Sequence, residues 1–418
     1  MLNDFPTPTA EYYPRWLADE LRLAARDHRV LVLTGARQTG KSTLLLNEPP
    51  FNGWRFITLD DLDALALAKE DPHALWAGEA HVILDEVQRA PELLLAVKRA
   101  VDEGSGPRTF VLSGSANLLL MRQVSETLAG RAVYFVLGPM TLGELRRAPP
   151  PTSLRALLAG IPPEVSAPPP SRESLLETLQ HGLLPAVLKL DDPRSWVRWW
   201  TGYVSTYLER DLRQVSQIDS LVDFRRVLEL LAYRSGQLLN QSELARDARL
   251  SQPTVHRYLN LMETTHLFSR LPAWTQSGAA RVLKAPKVMW SDPGLAVFLA
   301  GYYSAQALAS ARELGGFFEG LVHHHLQVLA SLMAPPARLH FWRTQRGAEV
   351  DFVLQHGREI LGIEVKLRDT VRLQDAAGLR QLQASHGEPM TGIVLYTGAQ
   401  VQPLGERLFA VPLSVITG

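Results

Sequence analysis

The chain reads as a multidomain α/β protein, and three observations lead there. Short apolar runs alternate with helix-spaced stretches over the first third, the pattern of a parallel sheet covered on both faces. A mostly helical stretch follows over residues 171–300, set off by Pro-rich connectors at 148–151 and 161–170. Strands then return after residue 311. At 418 residues the chain exceeds what one core holds, since single cores stop growing near about 250–300 residues. The expected divisions are a P-loop nucleotide-binding domain over 1–147, a connector and helical lid over 148–222, a winged helix-turn-helix over 223–305 and a second α/β domain over 306–418.

The chain has 43 basic and 43 acidic residues, so its formal net charge is zero. Nucleic acid or membrane cannot then be bound by total charge, only by local patches. Seven of the cations are Lys and the rest Arg, which suits bidentate phosphate contacts; a coding bias toward Arg, Pro and Ala explains this equally well. The absence of Cys excludes disulfides and Cys-ligated metal centres. No apolar run approaches the ~20 residues of a membrane-spanning helix, and residues 1–10 do not resemble a secretory signal. A cytoplasmic protein without a membrane partner is expected.

Residues 11–28 carry Trp16, Leu17, Leu21 and Ala24 at helical spacing. Residues 30–34, 55–59, 81–84, 108–112 and 133–137 are strand-like runs, and 91–101 a helix between them. The first strand enters Gly35-Ala36-Arg37-Gln38-Thr39-Gly40-Lys41-Ser42, a match to G-x-x-x-x-G-K-[ST], and Thr43 begins a helix. In that setting the glycines let backbone amides wrap phosphate oxygens at a helix N-terminus, Lys41 reaches the β- and γ-phosphates and Ser42 holds Mg²⁺. ATP or ADP with Mg²⁺ is the implied ligand. The third strand ends in Asp85-Glu86: Asp85 for the metal's water shell, Glu86 as the base that activates water. The next strand ends near Ser115, with Asn117 as the alternative, and either could hold that water from the other side. Arg131, or Arg122 on the preceding helix, is a candidate for the arginine that a neighbouring subunit supplies; a surface salt bridge accounts for either equally well.

Thr34 to Ser42, Leu84-Asp85-Glu86-Val87-Gln88, Ser113-Gly114-Ser115 and Leu128-Ala129-Gly130-Arg131 together resemble a family of bacterial and archaeal AAA-type ATPases fused to a C-terminal domain of unknown function. The order fits over nearly the whole chain. Tyr203 to Leu212 resembles the family's middle segment, whereas His181-Gly182-Leu183-Leu184-Pro185 departs from its more glycine-rich form. The resemblance implies an ATP-driven homo-oligomer, a hexameric ring being one form, without naming its work.

Within residues 237–267, Asn240 or Ser242 can cap one helix, residues 249–251 turn, and Ser251 can cap a second helix carrying Pro253 in its first turn. Leu244, Ala245, Leu250, Val255 and Leu259 would form the core of a helix-turn-helix. Gln252, Thr254, His256 and Arg257 would face outward, suited to groove edges and phosphates of DNA. Val282-Leu283 and residues 287–290 could supply the wing hairpin.

Near the C-terminus, strand alternation puts Glu364 and Lys366 on one face, and Asp351 can meet Glu364 across a hairpin through residues 355–358. Two carboxylates beside a lysine suit a Mg²⁺- or Mn²⁺-dependent phosphodiesterase. The pattern resembles the D…E-x-K motif of the restriction-endonuclease-like superfamily; a further glutamate on a preceding helix, here Glu319, matches that resemblance as a third metal ligand. A cross-strand Asp351–Lys366 ion pair needs no metal and is the plain alternative. Arg343 and Arg346 would suit backbone phosphates. The triplet His323-His324-His325 reads as helix surface with one member turned to the cleft, and Trp199-Trp200 as packing. The combined expectation is a Mg²⁺-dependent ATPase acting as a ring-forming DNA-processing motor with a metal-dependent nuclease-like domain. The alternative is a nucleotide-dependent DNA- or protein-binding switch with a non-catalytic nuclease fold.

Overall fold

The structure, a computed structural model, describes residues 12–102, 108–114, 128–164, 168, 170–206, 218, 220–275, 285–387 and 389–418. It comprises two compact units, Met1–Met140 with Thr264–His266, and Thr141–Glu263 with Leu267–Gly418.

In the first unit, α1 (Leu17–Asp27) leads into β1 (Val30–Thr34) and α2 (Lys41–Asn47). β2 (Arg55–Thr58), α3 (Leu62–Glu70), β3 (His81–Asp85), α4 (Leu93–Asp102), β4 (Thr109–Ser113) and β5 (Ala132–Val136) follow. The strands form one parallel sheet in the order β2-β3-β4-β1-β5, as alternation with helices predicts. β1 and β4 are buried at every position, so their runs are continuously apolar rather than alternating. Trp76 meets the Phe110 ring edge-on at 5.2 Å in a core with Val30, Val82, Leu93 and Val97. Because β4 lies between β1 and β3, the ends of all three strands converge on one edge of the sheet.

The second unit holds a helical part and a mixed sheet. Its helices include α5 (Arg172–His181), α6 (Pro193–Tyr203), α7 (Leu221–Ala232), α8 (Gln241–Ala248), α9 (Gln252–Thr264), α10 (Pro293–Leu299), α11 (Leu314–Ser331) and α12 (Ala377–His386). Asn240 caps α8 by accepting from the Glu243 amide, and Ser251 accepts from the Thr254 amide at the start of α9. Leu244, Ala245, Val255 and Leu259 are buried as expected, joined by Tyr258 edge-on to Phe224. An antiparallel pair follows, β6 (Phe268–Leu271) with β7 (Lys287–Trp290). The partner of β7 is therefore residues 268–271; Val282 and Leu283, expected there, lie outside the described residues. Trp200 is buried and packs edge-on to Trp199, in line with a packing role.

The six-stranded sheet has the order β12-β13-β11-β10-β9-β8, from β8 (Arg338–Arg343), β9 (Glu349–His356), β10 (Glu359–Lys366), β11 (Thr391–Tyr396), β12 (Gln402–Gly405) and β13 (Leu408–Pro412). β8, β9 and β10 pair antiparallel, and β10, β11 and β13 pair parallel. Leu379 and Leu382 of α12 seat on Val350, Val353 and Val394. Strands β12 and β13 leave no clear strand signal in the sequence, because two prolines and a glycine within residues 402–412 disguise them.

Candidate functional site

The first site is built at the end of β1. Gly40 takes φ +89° to turn the chain into α2. Gly35 sits at φ +149°, where an added Cβ would stand 2.2 Å from the Leu137 carbonyl oxygen. Lys41 is buried, and its Nζ donates to the carbonyls of Gly35 at 3.2 Å and Ala36 at 2.9 Å. Burial lowers its pKa, against the upward pull of Glu86 and Asp85. Ser42 Oγ donates to Asp85 Oδ2 at 2.8 Å. The other oxygen, Asp85 Oδ1, is buried and accepts no hydrogen bond among the described residues. Glu86 leaves β3 at φ +57°, and Gln88 donates an amide hydrogen to its Oε2. Burial, then the adjacent Asp85, raises the Glu86 carboxyl above the ordinary glutamate range.

Two further residues belong here. Arg15, 6% exposed, donates from Nη1 to the Thr39 carbonyl at 2.7 Å. From Nη2 it donates to the carbonyls of Gly138 at 2.8 Å and Pro139 at 2.9 Å. One guanidinium thus ties the phosphate loop to the exit of β5. Ser113 closes β4 between the two site strands, buried and with its Oγ free of hydrogen bonds among the described residues. A triphosphate and a divalent ion fit this donor set. The buried unpaired carboxylate oxygen beside a serine hydroxyl suits a hard cation.

The second site lies on one face of β9 and β10. The Asp351 carboxylate accepts from the Val365 amide at 2.9 Å, which locks it against β10. Lys366 Nζ donates to Glu364 Oε1 at 2.7 Å. β7 drives a lysine into this cluster. Val288 N–H donates to the Gln237 carbonyl, and the Gly236 amide to the Val288 carbonyl, so the strand is laced in place and wholly buried. The Lys287 ammonium then lies 2.5 Å from Glu349 Oε1, 3.5 Å from Glu319 Oε2 and 3.6 Å from Asp351 Oδ1. It also stands 5.7 Å from the centroid of the buried Phe341 ring. Burial disfavours the Lys287 charge, but the carboxylates of Glu319, Asp351 and Glu349 outweigh it and hold the pKa above the ordinary lysine value. Glu319 and Glu364 are raised by burial and by Asp351, because the acids outnumber the lysines that face them.

Comparison with known proteins places these geometries in a lineage. Residues 27–146 match an AAA domain, 172–306 a domain of unknown function (DUF8612) and 314–416 a second (DUF4143). Uncharacterized proteins of Mycobacterium bovis and Mycobacterium tuberculosis are each 30% identical over 403 residues, which is 96% of this chain and 83% of theirs. The chain belongs to their family. Among solved structures, a Walker-type ATPase of Pyrococcus abyssi overlays with TM-score 0.47 at 16% identity, over 70% of this chain and 97% of that one. A signal-transduction ATPase with numerous domains and a tetratricopeptide-repeat sensor, from Pyrococcus horikoshii, gives 0.22 at 10% identity, over 78% and 47%.

In this AAA-domain protein the P-loop, Ser42, Asp85 and Glu86 meet at one sheet edge, as a P-loop ATPase requires. Ser115 and Asn117 lie outside the described residues, as does Arg122. Arg131 does not join the cluster: it precedes β5 at the opposite end of the parallel sheet from the P-loop, and its Nε pairs with Asp102 at 2.6 Å. Of the expected metal set of Glu319, Asp351 and Glu364, the first two face a lysine. Among the described residues no group of three or more such side chains is placed to hold a metal ion, and an ammonium stands among the acids instead. The plain alternative for Asp351 and Lys366 also gains different partners, since Lys366 pairs with Glu364 and Asp351 faces Lys287. The three histidines are all buried in α11 rather than on its surface. Gln252, His256 and Arg257 are exposed and Thr254 half-exposed; Arg343 and Arg346 are exposed, with Arg343 3.7 Å from Glu349.

Arg15, Gln88, Ser113, Lys287 and Glu349 were missed. Glu349 was legible, because it alternates with Asp351 and shares its strand face. Lys287 left a fainter mark as one of only seven lysines, standing beside the apolar run Val288-Met289-Trp290. Arg15 left none.

Proposed function

We propose that the chain is a Mg²⁺-dependent ATPase that works as a homo-oligomer and couples hydrolysis to a C-terminal half that engages DNA without cutting it. The observation that carries the ATPase reading is the bond from Ser42 to Asp85 beside the buried Lys41 and Glu86. The amides of residues 36–43 (Ala36, Arg37, Gln38, Thr39, Gly40, Lys41, Ser42, Thr43) cradle the phosphates, and Lys41 exchanges its loop carbonyls for phosphate oxygens. Ser42 and Asp85 would hold Mg²⁺, which supplies positive charge at the phosphates. Glu86 orients the attacking water and takes its proton; a raised pKa makes it the better acceptor once nucleotide has closed the site. Arg131 faces away from its own P-loop, so it can act on phosphate only at a neighbour's site.

The DNA reading rests on the capped α8–α9 pair followed by β6–β7, the order of a winged helix-turn-helix, with Gln252, Thr254, His256 and Arg257 on the outer side of α9. The metal-dependent nuclease reading is weaker, because the Lys287 ammonium already stands among the acids that a metal would need.

ATP turnover by purified protein tests the core. Glu86→Gln should keep nucleotide binding and lose roughly 10²–10⁴ in rate, whereas Lys41→Ala loses binding itself. Equal turnover by wild type and Glu86→Gln would end this reading. Duplex DNA should stimulate turnover and Arg257→Ala should blunt it; turnover indifferent to every nucleic acid would point to a protein partner.

A further inference from the structure

We infer that Lys287 is the resident cation of the C-terminal acidic cluster, standing where the D…E-x-K pattern would put a divalent ion. The inference deepens the non-cutting role proposed above. The ammonium contacts carboxylates from two elements, Glu319 of α11 and Glu349 and Asp351 of β9. These include two of the three residues that the sequence pattern assigns to metal. A hard cation and an ammonium compete for the same converging oxygens, and both cannot occupy them.

The lysine is no flexible surface group that swings in by chance. Its side chain is 3% exposed, and hydrogen bonds to residues 236–239 hold β7 on both sides of it. Two neighbours leave it no wider berth. Gly236 approaches Glu319 closely enough that a Cβ would lie 3.1 Å from Oε2, and Phe341 presents its ring face to the ammonium. Glu364 Oε2 is buried and accepts no hydrogen bond among the described residues, so the acidic face keeps unused oxygen capacity. Removing the lysine therefore leaves Glu319 and Asp351 without the ammonium that faces them, the state that recruits a divalent ion.

The test is thermal unfolding in nucleotide-free and magnesium-free buffer, titrated with Mn²⁺ alone. Wild type should show no Mn²⁺-dependent rise in Tm that Asp351→Asn abolishes. Lys287→Ala should unfold roughly 5–10 °C lower without metal, and Mn²⁺ should recover about 5 °C of that. Adding Asp351→Asn to Lys287→Ala should remove the recovery. Lys287→Gln keeps most of the side-chain volume without the charge and should respond to Mn²⁺ in the same sense if the alanine variant does not fold. A wild-type Mn²⁺ response lost in Asp351→Asn would overturn the inference, as would a folded Lys287 variant with no Mn²⁺ response. Neither readout involves ATP turnover or DNA, so its failure is separate from failure of the ATPase reading.

Discussion

Three consecutive histidines on α11 would each point to a different side of a helix, yet all are buried because residues 320–326 of the helix are covered all round. His325 accepts from the Leu142 amide at Nε2 and donates from Nδ1 to the Leu321 carbonyl, which fixes a neutral tautomer. His323 packs beside the Phe352 ring. Burial lowers His323 to about 4 and His325 to about 3. Above the ordinary histidine pKa, near 6.5, neither state binds the proton and the fold loses nothing. As pH falls below that value the unfolded chain takes up a proton that the folded chain refuses, and stability drops until about pH 4. At pH 5 each such histidine should cost on the order of 2 kcal/mol. The raised Glu319 and Glu364 act in the opposite sense, favouring the fold as pH falls. His323→Leu against wild type isolates the histidine: urea unfolding at pH 7 and pH 5 should show a smaller loss in the variant, and equal losses would refute the assignment.

At the scale of elements, helix α11 is positioned by what it lacks. A Cβ on Gly316 would come 2.2 Å from the Ser235 carbonyl oxygen, a backbone atom that cannot move aside. That approach brings Glu319, one turn further along, to Gly236 and so to the Lys287 cluster. Gly316→Ala should destabilise by about 2–3 kcal/mol in urea unfolding. It should also change the Mn²⁺ response only if it moves Glu319; a fully stable Gly316→Ala would mean the helix slides freely. The phosphate loop shows the same dependence on a distant element. Its shape is maintained by Arg15, which precedes α1, and by the chain leaving β5.

For the molecule as a whole, the parallel sheet decides where an arginine can act. Phosphates would sit at the end of β1, while Arg131 stands before the start of β5, five strand residues away along paired neighbours. Such a span is about 16 Å at roughly 3.3 Å per residue, too far for a contact within one subunit. If the ATPase works as an oligomer with shared sites, Arg131→Ala and Glu86→Gln should each be inactive alone. Mixed, they should regain turnover at the interfaces that pair an intact Glu86 with an intact Arg131. Mixtures as inactive as their parents would remove Arg131 from the site and leave it the ion pair with Asp102.

The sequence by itself determined the nucleotide half. Strand, glycine loop and helix succeed one another locally, and an acid pair ending an apolar strand needs only the parallel sheet to reach the same edge. The two helices of residues 241–264 and the β9–β10 hairpin were equally legible, because caps, turns and strand alternation act over a few residues. Tertiary structure alone decided which charge faces the C-terminal acids. Lys287 arrives there from a strand some thirty residues before Glu319, carried by a backbone ladder, and no local pattern encodes that distance. The same holds for Arg15 and for the burial of the histidines: a long side chain or an enclosed helix acquires its partners from packing, and packing joins residues that the chain keeps far apart.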